Sequence, residues 1–296
     1  MNFADLQVFK AVVEEGGIIR AAQRLHRVPS NVTTRIQHLE EAVGVPLFHR
    51  DRQRLHLSPS GELLLGYAER LIRLSDEARQ AVAGAAPQGV LKLGALESTT
   101  ASRLAVLLAE YHRRFPEVRL ELSTGTNDAL LKAVLERRVD AAFIAEPPPE
   151  PSLAHMPVFH ERLVLISGPE HTPIKRAADI TGESLIAFPE GCAYRRVLQR
   201  WLGKQSLAAT RVMDLSSYHA IVACVAAGAG IALVPAAVLD TMPHVQVRRH
   251  PLPKAYGDVV TPLIWRAGEV SAQVLALRGL ANEAAKKARP AARAKA

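Results

Sequence analysis

The chain has 296 residues, 48% of them hydrophobic and 22% charged, enough for two or three domains with cores of their own. No apolar run approaches the ~18 residues needed to span a bilayer, so neither a membrane protein nor a membrane partner is expected. Two cysteines, Cys192 and Cys224, are too few for a disulfide framework and fit a reducing cytoplasm. The net charge of +8 is unevenly placed: residues 1–88 carry +1, residues 89–277 carry +2 and residues 278–296 carry +5. The excess therefore sits in the terminal AAKKARPAARAKA. Residues 289–296 are expected to be a disordered basic tail, serving either non-specific DNA affinity or nothing beyond a solvated terminus.

The N-terminus opens into an amphipathic helix with Phe3, Leu6, Phe9 and Val13 on one face, not into a signal peptide, so a cytoplasmic location is expected. A short helix follows from Ile18 to Leu25, with Ala21 and Ala22 on its apolar side and Arg20 among its polar positions. The next helix carries Val32, Ile36, Leu39 and Val43 at spacings of four, three and four, and Gly44 stands where a left-handed cap is wanted. Opposite that stripe lie Ser30, Asn31, Thr33, Thr34, Gln37 and His38, with Arg35 beside them. These side chains suit base edges and phosphates, although an ordinary solvated face is the competing reading of the helix taken alone. Its acidic residues, Glu40 and Glu41, stand at the distal end.

Leu47-Phe48 and Leu55-x-Leu57 then flank a short basic hairpin whose Arg50, Arg52 and Arg54 can lie along a phosphate backbone. Two short helices at a tight turn followed by such a hairpin have the layout of a winged helix-turn-helix, which places one helix in the major groove of double-stranded DNA. Ser58-Pro59 supplies an N-cap and first position for a long helix to about Ala83, roughly 37 Å. On it Leu64, Tyr67, Leu71, Leu74, Ala78 and Ala81 form a heptad seam, suited either to pairing two copies of the chain or to packing against the chain's own body. Residues 84–89, GAAPQG, break the helix and mark a boundary.

Beyond the boundary strands and helices alternate. Strands are expected at 90–96, 118–123, 141–145, 163–167, 185–188, 211–215 and 231–234, and helices at 101–115, 130–138, 194–202 and 219–227, in α/β architecture with mostly parallel sheets. Ligands in such folds bind at the carboxyl ends of strands, beside helix N-termini. The residues there are Glu97, Ser98, Thr99 and Thr100, then Thr124, Gly125 and Thr126, then Glu146, then Cys192, Tyr194 and Arg195, and finally Ser217. Ser98, Thr100 and Thr126 serve equally well as helix caps, and Arg195 as a carboxylate clamp or a solvated residue. Glu97 and Glu146 favour a cationic group, so ligand charge stays open, and an amphoteric small metabolite meets both signs. Gly228-x-Gly230 joins helix to strand and is no dinucleotide fingerprint. No histidine pair has metal-ligand spacing and no nucleophile elbow is present, so neither a metal, a cofactor nor a catalytic constellation is expected.

The N-terminal stretch resembles LysR-type transcriptional regulators, through Phe9, Ala21-Ala22, Leu25, Ile36, Leu39-Glu40, Gly44, Leu47-Phe48, Arg50 and Leu57-Ser58-Pro59-Ser60-Gly61. The resemblance extends more loosely over nearly the whole chain. It implies a winged helix-turn-helix over 1–58, a linker and dimerisation helix over 59–88 and a two-lobed, periplasmic-binding-protein-like α/β effector domain over 89–290. Lobe I would take about 89–162 and 266–288, and lobe II about 163–265. It also implies a small-molecule effector between the lobes, a homodimer through the linker, a homotetramer on promoter DNA of dyad symmetry, and effects on RNA polymerase that follow from DNA bending. Two positions depart from the family: Gly17 stands where a capping serine is usual, and Val28-Pro29-Ser30 replaces Ser-Gln-Pro, so a base-contacting glutamine is missing. Two other readings remain, a redox trigger at Cys192 beside a helix N-terminus, and a solute-binding protein or enzyme on the same two-lobed fold.

Overall fold

The computed structural model describes residues 1–51, 54–83, 86–180, 182–207, 211–268 and 271–293. It divides into two compact units, Met1–Ala85 and Ala86–Ala296.

In the first unit α1 (Phe3–Glu15), α2 (Ile18–Arg24) and α3 (Pro29–Val43) pack around one core. Leu6, Phe9, Val12, Ala21, Ala22, Val32, Ile36 and Leu39 are all buried in it. Asn2 caps α1 by accepting from the Asp5 N–H at 2.9 Å, and Gly16 and Gly44 close α1 and α3 in the left-handed conformation. No side chain caps α2 at Gly17. The turn between α2 and α3 puts His26 at φ 51, and Pro29 opens α3 at a position that needs no N–H donor.

β1 (Phe48–Asp51) and β2 (Arg54–Leu57) then pair antiparallel, with Phe48 opposite Leu57 and Asp51 opposite Arg54, leaving a two-residue connection. The hairpin is tied at its base. Glu40 Oε1 accepts from the N–H groups of Leu47 (2.7 Å) and Phe48 (3.3 Å), and Ser58 Oγ donates to the Pro46 carbonyl at 2.8 Å. Ser58 also accepts from the Gly61 N–H (2.9 Å), capping α4 (Pro59–Ala83) as its sequence suggests. A Cβ on Gly61 would sit 2.2 Å from the Leu47 carbonyl oxygen, so only glycine fits there. Along α4, Ala68 is buried, and Leu64 and Leu65 pack against the headpiece core. Tyr67 (51%), Leu71 (42%) and Leu74 (61%) stand exposed. The heptad seam thus splits, its first position used internally and the next three left facing outward.

The second unit begins with β3 (Gly89–Ala95) and a helical run of α5 (Glu97–Thr99), a π-turn (Thr100–Leu104) and α6 (Ala105–Arg114). β4 (Val118–Thr124), α7 (Asn127–Leu135), β5 (Ala141–Phe143) and the 15-residue β6 (Leu153–Ser167) follow. After a 3-10 turn (Ala177–Ile180) come β7 (Leu185–Ala187), α8 (Ala193–Leu207, broken at Gly203), β8 (Val212–Asp214) and α9 (Tyr218–Ala226). β9 (Ala232–Pro235), α10 (Ala236–Asp240), β10 (Arg248–Pro251), α11 (Lys254–Gly257), β11 (Asp258–Arg266) and α12 (Ala272–Arg293) complete it.

The main sheet runs β10-β6-β11-β5-β3-β4, with β9 also on β6. β3 is parallel to β4 and β5, whereas β11 with β5 and β6, and β6 with β9 and β10, are antiparallel. The expectation of mostly parallel sheets is therefore corrected to a mixed sheet. Its antiparallel share comes from β11 against β5 and from β6, which pairs with β11 through Arg162 and with β9 and β10 from Leu163 onward, and so joins two lobes. β11 pairs with β5 at Leu263–Trp265, so residues expected in lobe II belong to the first lobe's sheet. Expected as a disordered tail, residues 289–293 instead continue the backbone of α12, Pro290 included.

Candidate functional site

Two arrangements carry chemistry, one in each unit. In the first, the stripe Val32, Ile36 and Leu39 is buried, so the opposite side of α3 faces out with Ser30, Asn31, Thr34, Gln37 and His38 exposed. Thr33 is half-buried, and its hydroxyl donates to the Pro29 carbonyl at 3.0 Å, as Thr34 does to Ser30 at 3.0 Å. Arg27, in the helix-turn-helix turn, donates to Asn31 Oδ1 at 3.2 Å and adds an exposed cation that the sequence reading left out. Its only signal was its place, four residues before Asn31. Arg20 is exposed and donates to the Gly16 carbonyl at 3.3 Å.

Arg35 does not join this face. Its guanidinium bonds the buried carboxylate of Asp5 on α1 at 2.9 Å, so it holds α3 to α1. Arg50 and Arg54 lie on β1 and β2, where the backbone alone is described, and Arg52 falls outside the described residues.

In the second unit, the strand ends and helix starts of both lobes line a small pocket, part of it open to solvent. Its lining is Glu97, Ser98, Gly125, Thr126, Cys192 and Tyr194, all expected from sequence, together with Leu96, Ala145, Phe188, Ala193 and Tyr218. The second group escaped notice because apolar and aromatic residues at strand ends read as core. Each nonetheless lies within a few residues of a polar position that was singled out. Phe188 and Tyr218 pack with ring centroids 4.6 Å apart and form an aromatic wall.

Glu97 is the sole ionisable carboxyl in this lining. Its Oε1 accepts from the Tyr218 N–H at 3.3 Å, linking α5 to the start of α9, while its Oε2 is buried without a hydrogen-bond partner. Burial pushes the Glu97 pKa up, against the smaller opposing effects of the Tyr218 N–H and the charge on His219. Burial likewise raises Tyr194, against smaller opposing effects of the Ser98 and Thr261 hydroxyls.

The remaining expected residues have other duties. Thr126 accepts from the Ala129 N–H at 3.3 Å and caps α7 while lining the pocket. Thr100 donates to the Leu96 carbonyl at 3.1 Å, Thr99 is buried, Thr124 is exposed at the end of β4 and Ser217 is the half-buried residue before α9; none of the four lines the pocket. Arg195 is no free clamp, since it bonds Asp214 at 2.6 Å and the Phe188 carbonyl at 2.9 Å. Glu146 pairs with Arg196 (3.8 Å) and Arg200 (3.6 Å), outside the lining. Arg196 also holds Asp128 at 3.0 Å.

Cys192 was expected at an accessible helix N-terminus with a lowered pKa. It is instead buried, at 7% exposure, and burial pushes its thiol up despite the N–H groups of Arg195 and Tyr194. A buried thiol is a poor redox trigger, and that alternative is not favoured.

A helix-turn-helix headpiece and a two-lobed domain with a largely apolar, partly open pocket, carried on one chain, define a ligand-responsive DNA-binding regulator. Comparison with known proteins agrees. Residues 3–62 match the bacterial regulatory helix-turn-helix model of the lysR family, and residues 84–286 match the LysR substrate binding domain. The transcriptional regulator GltR of Bacillus subtilis is 35% identical over 268 residues, 90% of each chain. In fold, the chain is similar to a full-length OxyR variant from Pseudomonas aeruginosa (TM-score 0.73, 22% identity, 96% and 94% of the two chains covered). It is also similar to CbnR in complex with its target DNA (TM-score 0.66, 23% identity, 96% and 100% covered). The chain belongs to the lysR family of transcriptional regulators; its activity is effector-modulated DNA binding rather than catalysis. Among the described residues, no helix is long and apolar enough to cross a membrane.

Proposed function

We propose that α3 reads base edges with Asn31, Ser30, Thr34, Gln37 and His38, while Arg20, Arg27 and the hairpin arginines Arg50, Arg52 and Arg54 hold phosphates. The observation that carries this reading is the exposed, polar leading face of α3 behind a fully buried apolar stripe. A small metabolite in the pocket between the lobes shifts the population between two lobe arrangements and thereby changes promoter binding. Copies pair through Tyr67, Leu71 and Leu74 of α4, two such dimers make a tetramer on DNA of dyad symmetry, and RNA polymerase responds to the bend imposed. The protein works in the cytoplasm.

Footprinting a promoter fragment and comparing its affinity with that of random DNA tests the DNA assignment. Asn31→Ala should cost about 1–3 kcal/mol on the specific site and relax base preference there, whereas Arg50→Ala should weaken specific and random DNA alike. Equal losses on both DNAs for Asn31→Ala would remove it from the base readers.

A further inference from the structure

The pocket's charge pattern restricts what it can hold, and this inference rests on the reading that the pocket is the effector site. All negative charge in the lining comes from Glu97, and no lysine or arginine belongs to it. The arginines nearest in sequence to the lining are committed elsewhere, Arg195 to Asp214 at 2.6 Å and Arg196 to Asp128 at 3.0 Å. One oxygen of Glu97 is used internally, on the Tyr218 N–H, and the other is buried with no partner. A buried carboxylate oxygen without a donor is costly, and the cost is relieved either by a proton or by a donor that a ligand brings. A ligand whose sole charged group is a carboxylate would bring like charge to Glu97 with no cation in the lining to answer it.

We propose that this regulator senses a small molecule bearing a protonated amine, whose N–H donates to Glu97 Oε2, and that Glu97 is the residue that sets effector charge. Leu96, Ala145, Phe188, Ala193 and Tyr218 supply the apolar wall against which the ligand's carbon skeleton packs. Ser98 and Thr126 are the neutral polar groups beside it. Because Glu97 bonds the first residue of α9 from the start of α5, an amine on Oε2 also bears on a contact that links the two sides of the pocket.

The test uses the full chain and three probe classes: the proteinogenic amino acids, short primary amines, and the nitrogen-free carboxylates of the same skeletons. Binding is read by thermal shift and titration calorimetry, and Ala193→Leu, or Ala145→Val should that variant fold poorly, marks which hits occupy the pocket. The expected hits carry an amine and lose at least tenfold in affinity in Glu97→Gln, which retains an acceptor for the Tyr218 N–H. Pocket-dependent hits that are carboxylates without nitrogen, bound as well or better by Glu97→Gln, would overturn the charge assignment and leave the pocket standing. Absence of any pocket-dependent hit in the three classes would overturn the pocket reading, and the proposal with it.

Discussion

Single side chains in this protein are given their roles by partners distant in sequence. His250 is 3% exposed, and its Nδ1 accepts from the Ile174 N–H at 3.0 Å. The ring proton therefore sits on Nε2, which donates to Ser167 Oγ at 2.8 Å, and the imidazole is held neutral. Burial lowers its pKa below 6.5, helped by His171, whose ring lies 6.0 Å away, and by Arg248; Glu183 is bonded to His171 at 3.2 Å. The sign follows: between the folded and unfolded pKa values the unfolded chain binds more protons, so stability rises with pH. His250's contribution is complete above about 6.5 and is lost as the pH falls below it. Urea midpoints from pH 7.5 to 5 should fall more steeply for the native chain than for His250→Gln, by at most one proton, or about 1.4 kcal/mol per pH unit. Parallel curves would show that this ring does not titrate with unfolding.

At the scale of elements, α4 has two halves with different duties. Its start belongs to the headpiece through Leu64, Leu65 and Ala68, and the continuation leaves Tyr67, Leu71 and Leu74 uncovered. Full burial of each leucine is worth about 1.5–3 kcal/mol, a strong drive toward a second copy. The double variant Leu71→Glu/Leu74→Glu should sediment as a smaller species than the native chain, with specific DNA affinity reduced tenfold or more because two half-sites are no longer held together. An unchanged sedimentation coefficient would place the dimer contact elsewhere.

Elements of the headpiece were legible because a 3.6-residue stripe and its caps are local signals. β11 and the first ten residues of β6, 153–162, were not. His160, Glu161 and Arg162 interrupt the apolar run of β6, and Pro262 interrupts β11, which tolerates it because the register shifts between Thr261 and Pro262. Within the candidate site, polarity at strand ends located half of the pocket but could not say which charges would be consumed by neighbours. Arg195 and Glu146 were taken by Asp214, Arg196 and Arg200, as Arg35 was by Asp5 thirty positions earlier. Glu40, which reads as a distal surface acid, anchors the hairpin through two backbone N–H groups.

For the molecule as a whole, the decisive fact is that the cores are separate. The headpiece core draws on residues from Leu6 to Ala68, the two clusters of the second unit on residues from Leu91 to Ala281, and they share none. The pocket lining likewise falls entirely between Leu96 and Tyr218. A fragment of residues 86–296 should therefore fold alone, melt within ~4 °C of the corresponding transition of the full chain, and bind pocket ligands with unchanged affinity. What it must lose is coupling. In the full chain, any factor by which a ligand changes operator affinity is matched by the factor by which operator DNA changes ligand affinity, since linkage is reciprocal. Titrating ligand into the full chain with and without operator DNA measures that factor, and the same titration on the fragment should show none. Equal ligand affinities for the full chain in both states would mean that the pocket, though occupied, does not govern DNA binding.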